Sequence, residues 1–241
     1  MLLIIGDVHS QYQVINEQIS FAEEKIGQAL DAVIVLGDLG IYEQQLKKFF
    51  GKEGGHFLRK VYFIDGNHEE FSQFDHLVEK YQHHLTHLPR GHVTQICSHR
   101  FLSLGGARYM DALNSPSGSE IKDCDIARCL AHKSGEVDFV LTHDCPAGIG
   151  VPNAPGLEFY GNPGFERGEE LIEHFKPQKW FFAHYHRWFD CKIGKSEFYG
   201  LPESWKGFGL LDEQGNYEAV EHAVAKHEDW LQSFIRKIFS L

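Results

Sequence analysis

The sequence has no apolar run long enough to cross a membrane and no leader-like beginning. A membrane-spanning helix needs about 20 consecutive apolar residues, and no stretch of the 241-residue chain approaches that length. Residues 1–5 are apolar and lead directly to Gly6 and Asp7, without a basic segment or a small-residue cleavage site. We therefore expect no signal peptide and no membrane partner.

Cysteine is scarce as well. The five cysteines are odd in number and include no Cys-x-x-Cys pair. Disulfide frameworks and thiolate zinc sites both use cysteines in pairs of characteristic spacing, so neither is indicated here. The composition therefore predicts a protein of the reducing cytoplasm.

Positive charge is in short supply. The chain has 23 Lys and Arg against 34 Asp and Glu, a formal net charge of −11. This balance excludes a general nucleic-acid-binding surface, which needs a basic face to release counterions from phosphates. It is compatible with a locally recognised nucleotide or RNA substrate, because a metal centre can supply positive charge that the composition lacks. The length and the 42% hydrophobic content predict one domain over residues 1–241.

What the chain does have is a repeated alternation of strand and helix. Apolar runs at residues 2–5, 32–36 and 61–64 predict buried strands, and residues 15–30 and 43–50 carry helical apolar spacing between them. Each run ends in polar residues. In open α/β sheets ligands bind at the carboxyl ends of parallel strands, so this edge is the predicted site.

The second half continues the pattern. We predict strands at 101–104, 137–141 and 180–183, and helices at 71–82, 121–132 and 166–175. Residues 187–220 break into short strand-like pieces, which we interpret as an antiparallel second sheet. The apolar spacing of Trp230, Leu231, Phe234 and Ile238 predicts a packed C-terminal helix.

The strand ends present a set of residues typical of a metal site on one edge of one sheet. They are Asp7 and His9, Asp38, Asn67 and His68, His143, and His184 and His186. A lone histidine at a strand end is usually structural, but chance is a weak explanation for such residues at the ends of five strands. Mixed nitrogen and oxygen ligands suit Mn, Fe, Zn or Ni better than Ca or Mg. The set can fill two centres if one carboxylate bridges them, an arrangement suited to in-line displacement at phosphorus.

At these residues the chain resembles the calcineurin-like metallophosphoesterase superfamily over roughly residues 1 to 190. Five ordered blocks carry the resemblance: Gly6-Asp7-Val8-His9, Gly37-Asp38-Leu39, Gly66-Asn67-His68-Glu69, Thr142-His143 and Ala183-His184-Tyr185-His186. The last block normally begins with Gly, and Ala183 changes no ligand. The resemblance implies an α/β fold, a four-layer α/β/β/α sandwich of two mixed β-sheets.

The resemblance also implies two divalent or trivalent metal ions, with Mn expected and Fe, Zn or Ni as alternatives. One ion would be held by Asp7, His9, Asp38 and His186, and the other by Asp38, Asn67, His143 and His184. A hydroxide shared by both metals would attack the phosphorus of a phosphate ester. His68 would assist the leaving group rather than bind metal. We consider Glu69 as the residue that orients its imidazole.

The branch of the superfamily is narrowed by local sequence. Leu39-Gly40-Ile41-Tyr42 follows Asp38 where protein Ser/Thr phosphatases carry Asp-Arg-Gly, so that branch is disfavoured. Residues 142–146 and 171–189 are similar to RNA lariat debranching enzymes, although those enzymes carry Cys at the position of Asp7. We favour a phosphodiesterase relative of undefined substrate. An RNA debranching-type phosphodiesterase and a non-catalytic metal-binding scaffold on the same fold are the alternatives.

Two further features are candidates for substrate contact. Arg108 follows the Gly105-Gly106 turn and Arg187 follows the last metal block, so each is a candidate phosphate clamp or an ordinary ion-pair partner. Residues 147–164 are rich in Gly and Pro and long for a plain connection, which indicates either a lid or a surface excursion. The sequence makes no prediction of oligomeric state.

Overall fold

The computed structural model describes residues 1–52, 54–111, 115–153 and 155–225. Its first half contains β1 Leu2–Ile5, α1 Tyr12–Ile26, β2 Ala32–Leu36, α2 Glu43–Leu46 continued by a π-helix at Lys47–Lys52, β3 Val61–Ile64, α3 Phe74–Lys80, β4 Leu85–His87, β5 His92–Ile96 and β6 His99–Leu104. Its second half contains α4 Asp123–Leu130, β7 Phe139–Thr142, α5 Gly168–Phe175, β8 Lys179–Phe182, β9 Phe189–Ile193, β10 Ser196–Gly200, β11 Gly207–Leu211 and β12 Tyr217–Glu221. The predicted helix around Trp230 to Ile238 lies outside the described residues. Across the described ranges, no helix combines the length and apolarity that crossing a membrane requires.

The strands form two mixed sheets of six. The first sheet has the order β12-β11-β1-β2-β3-β4, with β1 to β4 parallel and β11 antiparallel to β1. The second has the order β5-β6-β7-β8-β10-β9, with β6, β7, β8 and β10 parallel and antiparallel strands at both edges. Parallel strands bring several carboxyl ends to one edge of each sheet.

The alternation of side chains along the strands builds three apolar layers. Leu2 and Ile4 of β1 face the second sheet and pack with Phe101 and Phe139. Leu3 and Ile5, which point the opposite way, join the layer shared with α1. The far side of the second sheet packs against α4 and α5, where Ile126, Leu171 and Trp180 are buried. The predicted four-layer α/β/β/α sandwich is confirmed.

Residues 187–220 do not form a sheet of their own, and that interpretation was wrong. β9 and β10 complete the second sheet, with β10 parallel to β8, whereas β11 and β12 extend the first sheet from β1. The reason lies in burial: all five residues of β11 are buried, which requires a covered strand inside a sheet, not the edge of a separate hairpin.

Candidate metal centre

The predicted ligand residues come together, but from two sheets rather than one edge of one sheet. Asp7, Asp38 and Asn67 follow β1, β2 and β3 of the first sheet. His143 and His184 follow β7 and β8 of the second. The chain leaves the first sheet after β4 and starts the second at β5, so the later strands deliver their residues from the facing layer. The site therefore lies where the two sheets meet.

One group of ligand atoms forms around Asp7. His186 Nε2 lies 3.2 Å from Asp7 Oδ2 and 3.4 Å from His9 Nε2. His9 Nε2 lies 3.9 Å from Asp38 Oδ2. The ligand atoms of Asp7, His9 and His186 all lie within 4.8 Å of one another, a spacing that lets one ion contact all three.

A second group forms around His143, which is fully buried. His143 Nδ1 lies 2.8 Å from the carbonyl oxygen of Leu36. A carbonyl only accepts, so Nδ1 carries the proton and Nε2 presents a lone pair. His143 Nε2 lies 3.0 Å from Asn67 Oδ1 and 3.5 Å from Asp38 Oδ1. It also lies 3.2 Å from His184 Nδ1. Acceptor atoms that face one another repel, and a cation bound between them would offset that repulsion.

Three of the four carboxylate oxygens at the centre lack a hydrogen-bond donor among the described residues. Among the described residues, none donates to either oxygen of Asp7 or to Oδ2 of Asp38, although both side chains are buried. Burial, and then repulsion from Asp38, raise the pKa of Asp7 well above its usual value. Burying a charge without a partner is costly. The donor types and these orphaned oxygens therefore fit divalent or trivalent cations of the kind the family motif predicts.

The loops that carry the ligands have unusual backbone conformations. Eight non-glycine residues in the described ranges have positive φ, and five of them lie on these loops: His9, Ser10, Asp38, His184 and His186. Such conformations cost about 1–3 kcal/mol each and are common at functional sites. Glycine at position 66 lets the loop after β3 pass close to the Asp38 side chain, because a Cβ at this position would overlap Asp38 Oδ1.

His68 lies beside the two groups. Its ring centroid is 5.6 Å from that of His9, and its side chain is exposed, whereas its backbone N–H donates to Asp38 Oδ1 at 2.8 Å. Glu69 does not act on this imidazole through the hydrogen bonds that the structure contains. Its carboxylate is buried and accepts the backbone N–H groups of Leu39, Gly40 and Ile41. Glu69 thus holds the loop after β2, which carries Asp38.

The two predicted arginines bind main-chain carbonyls. Arg108 Nη1 donates to the carbonyl of Asn162 at 2.6 Å, and Arg187 Nε donates to that of Tyr185 at 3.3 Å. Arg108 also lines a cavity of about 600 Å³ together with Lys122 and Arg167. The contact with Asn162 ties Arg108 to the 147–164 segment, so a change in that segment would move this guanidinium.

Sequence reasoning missed two residues close to the site, Glu203 and Trp205. Glu203 Oε1 lies 3.7 Å from His186 Nδ1, and the Trp205 ring centroid is 6.2 Å from that of His9. Both follow β10 and belong to no recognisable motif. The only available signal was an acidic residue between Pro202 and Ser204, which alone predicts a turn.

The family comparison assigns the class of protein. The family model described as calcineurin-like phosphoesterase matches residues 1–188. The chain belongs to this family and is a metal-dependent phosphoesterase, a hydrolase that acts on ester bonds. No curated protein matches the sequence. The resemblance of the second half to RNA lariat debranching enzymes is not confirmed by these comparisons.

Solved structures share the fold at low identity. One aligns over 92% of this chain and 98% of its own, with a TM-score of 0.69 and 14% identity. GAP50, the anchor in the inner membrane complex of Plasmodium, aligns over 98% and 93%, with a TM-score of 0.53 and 8% identity. Phosphopantetheinyl hydrolase from Mycobacterium tuberculosis aligns over 85% and 90%, with a TM-score of 0.52 and 13% identity. One of these proteins is named as an anchor and another as a hydrolase, so the shared fold does not by itself assign a substrate.

Proposed function

We propose that this protein is a dinuclear metal-dependent phosphodiesterase. The observation that carries the proposal is the pair of buried carboxylates, Asp7 and Asp38. Three of their four oxygens accept no hydrogen bond from the described residues, and both side chains face imidazole nitrogens. Asp38 is the proposed bridging ligand because its two oxygens face different groups, with Oδ1 toward His143 and Oδ2 toward His9. The proposed ligands are Asp7, His9, Asp38 and His186 for one ion, and Asp38, Asn67, His143 and His184 for the other.

When bound, such ions polarise the phosphoryl oxygens and activate water for in-line attack on phosphorus. His68 serves the opposite side of the reaction. The hydrogen bond from its backbone N–H to Asp38 fixes the position of His68 beside the ligand groups. Its imidazole is exposed, so the ring can donate a proton or a hydrogen bond to the leaving oxygen. Arg108 and Arg187 are the proposed contacts to the remaining phosphate oxygens.

The proposed metal is Mn, with Fe, Zn or Ni as alternatives. Four imidazoles, one amide and two carboxylates form a donor set that is borderline rather than hard, which favours these metals over Ca or Mg. The proposed compartment is the cytoplasm, in keeping with the five cysteines, all of which are free thiols.

The first test is a matched comparison of substrates. Protein loaded with Mn²⁺ is assayed on bis-p-nitrophenyl phosphate and on p-nitrophenyl phosphate, and we expect a higher kcat/KM for the diester. A diester preference would direct further assays to nucleotide and RNA substrates, branched RNA included. A monoester preference would contradict the diester proposal, and inactivity on both with metal bound would favour the scaffold alternative.

The second test addresses His68. We expect His68→Ala to lower kcat by about 10²–10⁴-fold, the usual contribution of acid–base assistance, with unchanged metal content by elemental analysis. The exposed His76 on α3 provides the matched control, since His76→Ala removes an imidazole away from the site. A loss of less than about tenfold in His68→Ala would remove the proposed role.

A further inference from the structure

The segment between β10 and β11 packs onto the ligand loops although it lies beyond the family match, which ends at residue 188. The Ser204 N–H donates to the carbonyl oxygen of Asp7 at 2.9 Å. A Cβ at Gly6 would overlap the carbonyl oxygen of Pro202. This segment therefore touches the first metal-ligand loop directly, and its side chains are placed by the same contacts.

Within this segment Glu203 faces the imidazole of His186 from behind. The Nε2 atom of His186 is turned toward Asp7 and His9, so its Nδ1 atom points away from the ligand group. Glu203 Oε1 lies 3.7 Å from that Nδ1. At this separation the contact is longer than a hydrogen bond, so Glu203 acts on the neutral ring through its charge and its position.

Glu203 is itself held in place. Its side chain is 10% exposed, and Lys206 Nζ lies 2.7 Å from its other oxygen, Oε2. The Lys206 N–H also donates to the Glu203 carbonyl at 2.9 Å, which fixes the turn. His186, by contrast, is 44% exposed and has left-handed backbone conformation. A ring that is exposed needs a fixed partner if one nitrogen is to stay aimed inward.

We propose that Glu203 is a positioning residue that favours the Nδ1–H tautomer of His186 and keeps Nε2 directed at the ion shared with Asp7 and His9. Carboxylates behind metal-binding imidazoles raise ligand basicity and fix ring orientation, and their loss typically costs 10–100-fold in metal affinity. The inference rests on the proposed metal centre. It assigns a role to a residue outside the family motif.

The test is calorimetric titration of chelator-treated full-length protein with Mn²⁺. We expect wild type to bind two ions, and we expect Glu203→Ala to lower the affinity for one of them by about 10–100-fold. Glu203→Gln preserves the size of the side chain but removes its charge, so the affinity for the same ion should fall by about tenfold. Glu218→Ala is the matched control, because Glu218 lies on β12 and pairs with Lys25, away from the site.

A second readout separates positioning from folding. In ¹⁵N-histidine protein loaded with Zn²⁺, the Nδ1–H signal of His186 should be present in wild type and lost or shifted in Glu203→Gln, while the metal-free Tm stays unchanged. Unchanged Mn²⁺ affinity in both Glu203 variants, or equal weakening of both ions, would overturn the inference and leave the proposed function standing. Failure of wild type to bind two ions would overturn both.

Discussion

Two pairs of buried carboxylates in this protein are treated in opposite ways. Asp65 and Asp125 share the guanidinium of Arg90, which lies 2.9 Å by Nε from Asp65 Oδ2 and 3.4 Å by Nη1 from Asp125 Oδ2. Asp7 and Asp38 are as deeply buried but have no arginine or lysine partner among the described contacts. One pair is neutralised by the chain itself. The other pair has no such partner, and the proposed metal ions would supply the positive charge.

The pKa values follow this difference. Burial alone would raise the pKa of Asp65, but the hydrogen bond from His87 and the charge of Arg90 hold it at about 2. Burial and the neighbouring Asp38 raise the pKa of Asp7 well above its usual value. Burial therefore does not decide whether a carboxylate is structural or functional. For Asp65 and Asp7 the difference is the arginine partner. Burial also raises the pKa of Asp38, but the nearby imidazoles of His143, His9 and His68 bring it below its usual value. An active site can be kept at a cost in stability.

The largest effect is expected where an unsatisfied carboxylate is neutralised. Asp38→Asn keeps an acceptor for the His68 N–H but removes the bridging charge, so both ions should be lost or displaced. Because a bound metal supplies several kcal/mol of transition-state stabilisation, kcat/KM should fall by about 10³-fold or more. Elemental analysis and diester kinetics check this. Full metal occupancy in the variant would refute the bridge.

The opposite pair should respond in stability rather than activity. Arg90→Met leaves Asp65 buried without its guanidinium partner, which should lower the free energy of unfolding by about 3–5 kcal/mol. Arg100→Met is the control, since the Arg100–Asp138 pair is partly exposed to solvent and its loss should cost no more than about 1 kcal/mol. Urea unfolding of chelated protein measures both. Equal losses of unfolding free energy in the two variants would contradict the structural role assigned to Arg90.

A smaller effect of opposite sign is expected at Asp7. In chelated protein, Asp7→Asn removes an unsatisfied buried charge and should raise the free energy of unfolding by about 1–3 kcal/mol near pH 7. A raised native pKa means that the native state of wild type binds more protons than the unfolded state, so wild-type stability falls as pH rises through that pKa. The gain from Asp7→Asn should therefore shrink toward pH 4. Destabilisation at both pH values would contradict the assignment.

Much of the site was predictable because it follows local rules. Apolar runs of four or five residues ending in Gly-Asp or Gly-Asn identified the strand ends, and the carboxyl edge of a parallel sheet collects such residues. That logic placed Asp7, Asp38 and His143 near one another. It could not assign the strands to two sheets, because pairing depends on contacts between segments far apart in sequence.

Other residues gave no such signal. Glu203 reaches His186 only because β9 and β10 form a hairpin that returns the chain to the ligand loops. His87 lies 3.3 Å from Asp65 and packs against Phe63 and Phe74. Both depend on tertiary packing, which propensity and periodicity do not encode.

The division of the ligands between the two sheets has a consequence for the order of assembly. The first sheet supplies Asp7, Asp38 and Asn67, the three proposed oxygen ligands, with His9 as its one imidazole, whereas the second supplies only His143, His184 and His186. A chain that has formed only β1 to β4 presents mostly hard oxygen donors among these residues, which suit Mg²⁺ or Ca²⁺. The proposed preference for a borderline metal would arise only when the second sheet packs against the first. The metal preference proposed for this site is thus a property of the assembled sandwich, acquired when the second sheet packs against the first.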